Sequence, residues 1–385
     1  MSPSINTKVQ DVQFSGIRVF ANQVVNHPEA VNLTIGQPDF PTPEAVKQAG
    51  IRAIENNQTS YSHNAGIVDL RQAIQSFFQD SYGLNYKFQT EIIVTNGASE
   101  GLDSVFRTIL EEGDEVILPV PTYPGYLPLI TMNGATPVYL DMSETQFQPD
   151  PDMLESLITD KTKAILMNFP SNPTGVTLDS AKVAKLAEVL EKRDIFIVTD
   201  EIYSENTFSG AHSTFADFES LRDRTFLVHG LSKSHSMTGW RIGFVLGPEE
   251  LMAQVIKVHQ YNTLCASVPG QHAAIEALTN QRHVPAEMNK EYIKRRDYVY
   301  GRLIDMGIDV VLPNGAFYIF PSIEKFGLSS FDFATRLLKE GGVAAVPGSA
   351  FTSYGEGFLR ISYAYSMRVL EEGMDRLESF IKKLA

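Results

Sequence analysis

Lys233 is the residue of this sequence best placed to act as a nucleophile. It lies among small polar residues in segment 232–241 and follows the apolar run 225–228. A lysine at the end of a buried strand loses hydration, and its uncharged amine can then attack a carbonyl carbon. Arg241 comes eight positions later, and its guanidinium is available to an anion. The segment therefore predicts an amine nucleophile beside an anion-binding site.

Two further positions after apolar runs could bind charged groups. Gly97, Ala98 and Ser99 form a turn that leads into a helical pattern. Such a turn offers backbone N–H groups to a phosphate, although an ordinary strand-to-helix turn has the same composition. Asp200 follows an apolar run and needs a partner, because an unpaired buried carboxylate is costly. That partner is either an arginine or a helix N-terminus, or else the protonated ring nitrogen of a bound molecule.

Three more residues each have a structural and a functional interpretation. Asn172 lies in a tight-turn sequence after an apolar run, and it is either part of an ordinary loop or a donor to a phenolate oxygen. Tyr203 and Tyr123 are either packed in the core, as most tyrosines are, or in contact with a flat ring. In open parallel sheets ligands bind beyond the carboxyl ends of the strands, so all three would lie near Lys233.

Arg360 is a cation inside the otherwise apolar run 358–361. Burying a guanidinium is expensive, so a carboxylate is expected beside it. This carboxylate belongs either to a structural Asp or Glu, or to a substrate held by two parallel hydrogen bonds. The sequence favours neither of these alternatives.

The elements that position these residues alternate between apolar runs and helical patterns from about residue 65 to 280, which indicates a mostly parallel sheet covered on both faces. The runs predicted as strands are 91–95, 115–118, 163–167, 194–198, 225–228 and 242–246. The uncharged segment 116–140 contains five prolines. We interpret it as a buried strand, a shaped loop and a helix start rather than a membrane span.

The C-terminal part has an α+β pattern. It is predicted to contain a helix over about 285–305, strands at 310–312, 316–320, 343–346 and 358–362, and a final helix over 367–383. The first 40 or so residues show little regular pattern. We therefore predict an N-terminal arm with part of the small domain over 1–40, a large domain over 41–284 and a small domain over 285–385.

Charge and composition exclude several classes of protein. The net charge of −14 disfavours nucleic acid and an anionic membrane as partners. The single cysteine, Cys265, excludes a disulfide framework and a cysteine-based zinc site, and no metal is expected. The N-terminal residues lack the apolar core of a signal peptide, so a cytoplasmic protein is expected.

Nine motifs together resemble the class I aminotransferases of pyridoxal-phosphate fold type I, and they occur in that family's order. They are segments 34–40, 61–66, 97–99, 172–175, 200–203, 232–241 and 315–318, with Tyr123 and Arg360. The resemblance implies an α/β fold with a large domain on a mostly parallel seven-stranded sheet and a smaller α+β domain. It also implies a homodimer with shared active sites, in which Tyr61 reaches the phosphate of the neighbouring subunit.

The resemblance also implies a role for each candidate residue. Lys233 would bind pyridoxal 5′-phosphate as a Schiff base, Asp200 would pair with the ring nitrogen, and Tyr203 would contact the phenolate oxygen; these three are the expected catalytic residues. Asn172 would contact the same oxygen, and Tyr123 would stack on the ring. The phosphate would be held by Gly97, Ala98, Ser99, Ser232 or Ser234, and Arg241. The substrate carboxylate would be bound by Arg360 and Asn172, with Gly36 nearby.

One position departs from the dimeric aspartate enzymes of the family. Gly230 stands three residues before the lysine, where those enzymes often have a serine. The corresponding hydroxyl group is therefore expected from Ser232 or Ser234.

The substrates implied are an L-amino acid and a 2-oxo acid, with 2-oxoglutarate as the expected acceptor in a ping-pong reaction. Segments 15–18, 231–240, 258–262 and 353–357 resemble N-acetyl-L,L-diaminopimelate aminotransferases of lysine biosynthesis more than the aromatic aminotransferases of the same branch. An aromatic aminotransferase, a C–S β-lyase or decarboxylase on the same scaffold, and a non-catalytic regulator are the alternatives. Ile17 and Arg18 are further pocket candidates, but the sequence assigns no second arginine to the substrate side chain.

Overall fold

The computed structural model describes residues 3–384. Within them the strands are β1 (Val31–Asn32), β2 (Ile92–Thr95), β3 (Glu115–Val120), β4 (Thr136–Asp141), β5 (Thr162–Asn168), β6 (Phe196–Asp200), β7 (Thr225–Gly230), β8 (Gly243–Leu246), β9 (Tyr318–Ile319), β10 (Val343–Ala344), β11 (Val346–Pro347) and β12 (Leu359–Ser362). The α-helices are α1 (Thr7–Gln10), α2 (Gly16–Val24), α3 (Glu44–Glu55), α4 (Val68–Tyr82), α5 (Ala98–Ile109), α6 (Tyr126–Thr131), α7 (Pro151–Leu157), α8 (Ser180–Leu190), α9 (Glu249–Asn262), α10 (Val268–Thr279), α11 (Val284–Asp305), α12 (Ser330–Arg336) and α13 (Met367–Leu384).

A seven-stranded sheet in the order β2-β8-β7-β6-β5-β3-β4 forms the centre of the molecule. Its strands are parallel except β8, which runs antiparallel to both β2 and β7. The predicted α/β fold is confirmed. Each of the six apolar runs predicted as strands is a strand of this sheet, with ends displaced by at most two residues.

The strand and the helix start expected in segment 116–140 are β3 and α6, but the segment also enters a strand, β4, that was not predicted. In the described residues β4 pairs only with β3, at the edge of the sheet. Most β4 residues are partly exposed, so the strand lacks the continuous apolar run of its neighbours. Pro137 also argued against a strand, and an edge position is where a sheet tolerates proline.

Successive residues of the central strands are buried on opposite faces of the sheet. Ile197 packs with Leu186 of α8, whereas Val198 packs with Val105 of α5 and Val255 of α9. Helices α4 and α10 cover the first face over β2 and β8. Burial on both faces explains why these strands appear in the sequence as unbroken apolar runs.

The C-terminal part contains a three-stranded antiparallel sheet, β11-β12-β9, packed with the long helices α11 and α13. Both helices agree with the predicted ranges. The strand predicted at 310–312 is wrong, because this segment has no partner strand in the described part of the chain. Val310 and Val311 instead pack into two different apolar clusters, so their hydrophobicity reflects side-chain packing rather than strand pairing.

The N-terminal segment is more regular than its sequence indicates, because it contains α2 and β1. Phe20 and Val24 of α2 are buried in the same cluster as α11 and α13, and β1 pairs in parallel with β10. The division of the chain at residues 40 and 284 stays a prediction. Between residues 3 and 384, no helix combines the length and the apolar character needed to cross a membrane.

Candidate active site

A cavity of about 740 Å³ lies at the carboxyl ends of the central strands, between the large sheet and the C-terminal part. This is where ligands bind in open parallel sheets. The cavity brings together eleven of the predicted site residues, namely Gly36, Ala98, Ser99, Tyr123, Asn172, Asp200, Tyr203, Ser232, Lys233, Arg241 and Arg360. Gly97 is adjacent to Ala98, whereas Ser234 and Tyr61 do not line the cavity.

Lys233 follows β7, and its Nζ donates a hydrogen bond to the carbonyl oxygen of Gly36 at 2.7 Å. Burial lowers the pKa of Lys233 to about 8, and the positive charges of Arg360 and Arg241 act in the same direction. Because an ordinary lysine has a pKa near 10.5, the cavity greatly increases the fraction of uncharged amine at neutral pH. About a tenth of the Lys233 amine is therefore uncharged at pH 7, and this is the form that a nucleophile or a base needs.

Asp200 ends β6 and is 5% exposed. Its Oδ2 accepts a hydrogen bond from Tyr126 Oη at 2.7 Å, and its Oδ1 accepts one from the backbone N–H of Ile202 at 3.2 Å. Burial raises the pKa of Asp200 to about 6, although both hydrogen bonds oppose this rise. In residues 3–384 no cationic side chain forms an ion pair with this carboxylate, so the arginine considered as one of its alternative partners is not found.

Tyr203 is buried, and its hydroxyl lies 2.7 Å from that of Tyr318. Burial raises the pKa values of both phenols, which therefore stay protonated and can donate to an oxygen anion. Gly36 lies against the same pair, since a Cβ at this position would be 2.6 Å from Tyr318 Oη. The lack of a side chain at Gly36 keeps this side of the cavity open.

Arg360 is only 2% exposed, yet no acidic side chain forms an ion pair with it in the described residues. Its Nη1 donates to Asn172 Oδ1 at 3.0 Å and its Nη2 to the carbonyl oxygen of Thr34 at 2.6 Å, while Nε has no partner. The rings of Tyr318 and Phe351 lie 4.5 and 4.9 Å from the guanidinium carbon. The structural Asp or Glu considered from the sequence is thus not found, and a ligand carboxylate is the counter-ion that suits this buried cation.

An anion cradle forms where α5 begins. Gly97 precedes the helix with φ 76° and ψ 164°, a conformation that is essentially restricted to glycine. A Cβ on Gly97 would lie 2.3 Å from Arg241 Nη2, so the glycine lets the guanidinium approach the helix N-terminus. Arg241 is held there by hydrogen bonds to the carbonyl oxygens of Thr238 at 3.2 Å and Asn96 at 3.4 Å. Free N–H groups and a guanidinium at one point are suited to a phosphate.

The two serines beside Lys233 differ in position. Ser232 lines the cavity, whereas Ser234 is fully buried and its Oγ lies 2.9 Å from His235 Nδ1. Ser232 is therefore the hydroxyl group that is placed to reach a phosphate. A side chain at Gly230 would meet the carbonyl oxygen of Ile242 at 2.9 Å, so the backbone itself disfavours a serine there.

The two remaining aromatic candidates occupy different surroundings. Tyr123 lines the cavity and makes an edge-to-face contact with Tyr126, with 5.3 Å between the ring centroids. Tyr61 is 84% exposed and lies outside the cavity of its own chain. Its predicted role requires a second subunit and stays a prediction.

Sequence reasoning missed three residues that support the site. The hydroxyl of Tyr126 donates a hydrogen bond to Asp200, which lies 74 positions later in the sequence. Nothing in the local sequence pattern indicates that contact. Asn168 donates to the carbonyl oxygen of Asp200 at 2.9 Å and accepts from the N–H of Asn172 at 3.2 Å. Its place at the carboxyl end of β5 could have identified it. Tyr318 belongs to the motif 315–318, but no role was predicted for it.

The residues present fit pyridoxal phosphate. The cofactor needs a lysine amine, an anion partner for its ring nitrogen, donors for its phenolate oxygen and a phosphate site. Lys233, Asp200 and Tyr203 supply the first three, and the Gly97 and Arg241 cradle supplies the fourth. A buried carboxylate with no ion-pair partner in residues 3–384 and an anion cradle in the same cavity are the features expected of a cofactor site.

Comparisons with known proteins agree with this geometry. The family model for aminotransferase class I and II matches residues 28–377. The probable N-acetyl-LL-diaminopimelate aminotransferase of Bacillus subtilis is 50% identical over 100% of this chain and 97% of its own length. Aromatic-amino-acid aminotransferase 2 of Thermococcus litoralis is 36% identical over 99% of both chains. The crystal structure of Thermus thermophilus aspartate aminotransferase with maleate, at 34% identity, superposes with a TM-score of 0.93 over 98% of this chain and 100% of its own. The chain therefore belongs to the class I and II aminotransferases and is a pyridoxal-phosphate-dependent enzyme that acts on amino acids and 2-oxo acids.

Proposed function

We propose that the enzyme transfers the amino group of N-acetyl-L,L-diaminopimelate to 2-oxoglutarate by a ping-pong mechanism. The donor is supported by the name of the Bacillus subtilis relative, which is 50% identical along the whole chain. The chemistry is supported by one observation above all. Lys233, with a pKa lowered to about 8, shares a cavity with a buried carboxylate, Asp200, and a buried guanidinium, Arg360, neither of which has an ion-pair partner in the described residues.

In this proposal Arg360 binds the α-carboxylate of the substrate. The guanidinium is already oriented by Asn172 and Thr34, so little rotational freedom is lost when a carboxylate binds. Asn172 lies beside the same carboxylate and adds an amide donor. Fixing the α-carboxylate orients the bond from Cα to its hydrogen towards Lys233, which is the positional contribution to catalysis.

Lys233 Nζ is the proposed proton carrier. At a pKa of about 8, roughly half of the amine is uncharged at pH 8, against less than about 1% for an ordinary lysine. The uncharged Nζ accepts the proton from the substrate Cα, and the ammonium so formed is a general acid for the return transfer. The bound cofactor supplies the conjugated ring that accepts the electrons of the broken C–H bond.

Each group of the cofactor would be held by a different set of residues, chosen by charge and hydrogen-bonding capacity. Asp200 is the anionic partner for the ring nitrogen, and the Tyr203 hydroxyl and Asn172 amide are donors for the phenolate oxygen. Tyr123 would stack on the ring. The phosphate would be bound by the N–H groups and hydroxyls of Ala98, Ser99 and Ser232 together with Arg241. The N–H of Gly97 already donates to the carbonyl oxygen of Thr95 at 2.9 Å, so Gly97 would contribute space for Arg241 rather than a donor. We also propose a homodimer in which the exposed Tyr61 reaches the partner's phosphate site.

A donor panel with 2-oxoglutarate as the acceptor tests the proposed reaction. It compares kcat/KM for N-acetyl-L,L-diaminopimelate, phenylalanine, tyrosine and aspartate by measuring the glutamate formed. We expect the first donor to give the highest value and the initial-velocity plots to be parallel. Preference for the aromatic donors would replace our donor with the second candidate, which the Thermococcus relative's name supports. Release of pyruvate, ammonia and the free thiol from a fifth compound with a C–S bond, L-cystathionine, without any acceptor would instead identify a β-lyase.

Replacing Lys233 tests the proposed catalytic role directly. Lys233→Ala removes the amine that carries the proton, so turnover should fall to background. Lys257→Ala is the matched control, because Lys257 is exposed on α9 and lies outside the cavity. Appreciable turnover in the Lys233 variant would refute the assignment.

A further inference from the structure

A buried histidine lies behind the anion cradle. His259 is near the end of α9, is fully buried and does not line the active-site cavity. Its Nδ1 lies 3.0 and 3.1 Å from the two carboxylate oxygens of Glu100, and its Nε2 lies 2.9 Å from the carbonyl oxygen of Asn64. The imidazole ring therefore bridges the first turn of α5 and the loop that follows Tyr61.

The hydrogen bonds define the charges of this pair. Burial raises the pKa of Glu100, but the hydrogen bond and the charge of His259 outweigh burial and leave this pKa below its usual range. Glu100 is therefore a carboxylate, which only accepts hydrogen bonds, as does the carbonyl oxygen of Asn64. A neutral imidazole has a single N–H group to donate. Since both ring nitrogens of His259 face acceptors, the ring carries a proton on each of them and is a cation.

Glu100 has two opposite effects on the anion cradle. Its Oε2 accepts a hydrogen bond from the N–H of Asn96 at 3.0 Å, and the carbonyl oxygen of Asn96 accepts one from Arg241 Nη2 at 3.4 Å, so the carboxylate holds the residue that orients Arg241. However, Glu100 directly follows Ala98 and Ser99 at the start of α5, and one helical turn rises only about 5 Å. A carboxylate so close to the proposed phosphate site repels a second anion.

We propose that His259 is a positioning residue that neutralises Glu100, so that the start of α5 binds the cofactor phosphate while Glu100 keeps Asn96 and Arg241 in place. This inference rests on the proposed phosphate site and deepens it. The imidazolium and the carboxylate together carry no net charge. The positive end of the helix dipole and the guanidinium are therefore left to attract the phosphate.

The test compares pyridoxal 5′-phosphate with pyridoxal, which lacks only the phosphate, in absorbance titrations of the cofactor-free enzyme. His259→Gln keeps an N–H donor but removes the positive charge. The dissociation constant of pyridoxal 5′-phosphate should rise about 10- to 100-fold, the effect of one uncompensated like charge about 7 Å away in a partly screened site. That of pyridoxal should change less than about threefold. His27→Gln is the matched control, because it breaks a more exposed contact between a histidine and Glu29 outside the cavity and should change neither value.

A second substitution separates charge from packing. In the double variant His259→Gln with Glu100→Gln the uncompensated carboxylate is removed and two amides can hydrogen-bond to each other. Its affinity for pyridoxal 5′-phosphate should therefore recover to within about fivefold of wild type, a rescue that a packing role does not give.

Two results would overturn the role of His259 and leave the aminotransferase reaction intact. They are an equal loss of affinity for both ligands in His259→Gln, and a double variant that binds pyridoxal 5′-phosphate no better than His259→Gln does. If His259→Gln does not fold, a double variant that folds and binds supports the proposal, whereas one that also fails to fold overturns it. Equal affinity of the wild-type enzyme for the two ligands would instead refute the proposed phosphate site itself.

Discussion

Tyr126→Phe isolates the contact that keeps Asp200 ionised. Tyr126 is 1% exposed, and its hydroxyl donates to Asp200 Oδ2 at 2.7 Å, so the substitution removes one buried hydrogen bond to a carboxylate and little else. A hydrogen bond to a charged group contributes roughly 1.5–3 kcal/mol. Because one pKa unit corresponds to about 1.4 kcal/mol, the pKa of Asp200 should rise by about 1–2 units.

The direction of this shift sets a pH window. Asp200 starts from a pKa of about 6 in the cofactor-free protein, so about 90% of it is ionised at pH 7. A rise of about 1–2 units would leave between about 50% and 10% ionised. Since the proposed partner of the cofactor ring nitrogen is the carboxylate form, the affinity for pyridoxal phosphate at pH 7 should fall about 2- to 10-fold. At pH 9 the carboxylate is mostly ionised in both proteins, and the difference should shrink.

Titrations of the cofactor-free enzyme with pyridoxal phosphate at pH 7 and pH 9 measure this effect, with wild type as the reference at each pH. Tyr139→Phe is a suitable control, because Tyr139 lies on the edge strand β4 outside the cavity. A defect of equal size at both pH values would show that Tyr126 acts on packing rather than on the ionisation of Asp200. No defect at pH 7 would refute the electrostatic reasoning altogether.

Two other substitutions separate function from stability. Arg360→Met should lower kcat/KM at least about 100-fold, since two hydrogen bonds to the substrate carboxylate are lost. Its Tm should nevertheless stay level or rise, because the substitution removes a buried cation that has no carboxylate partner in the described residues. Arg295→Met, which leaves Asp39 without its partner, should lower Tm instead; a comparable fall in Arg360→Met would contradict the argument. Gly97→Ala should weaken cofactor binding by displacing Arg241, whereas Gly83→Ala imposes a similar positive φ with no atom within 4 Å and should leave binding unchanged.

The central strands and the residues that follow them could be predicted from the sequence because one physical cause links them. Strands buried on both faces give continuous apolar runs, and a charged residue within a few positions after such a run is conspicuous. Asp200 and Lys233 were found in this way, and both line the cavity. The roles given to them, and to the other candidate residues, stay predictions that the variants above test.

Some of the features that were missed depend on tertiary contacts. Tyr126, the first residue of α6, reaches Asp200 at the end of β6 across 74 positions of sequence. Helix α2 could have been found from the four-residue spacing of Phe20 and Val24, which are its buried residues. The strand predicted at 310–312 shows the converse error, since apolar residues that pack into separate clusters resemble a strand in sequence. Position along the chain predicts a strand end well, but it does not predict which distant side chain will meet it.

The identity of the lysine that binds the cofactor is the most direct test of the central claim. The holoenzyme is reduced with borohydride, digested and analysed by mass spectrometry. We predict a phosphopyridoxyl group on the peptide that contains Lys233, and none on that peptide in the Lys233→Ala variant. Attachment to a different lysine, or a reduced enzyme without any covalent cofactor, would contradict the assignment of this cavity as the active site.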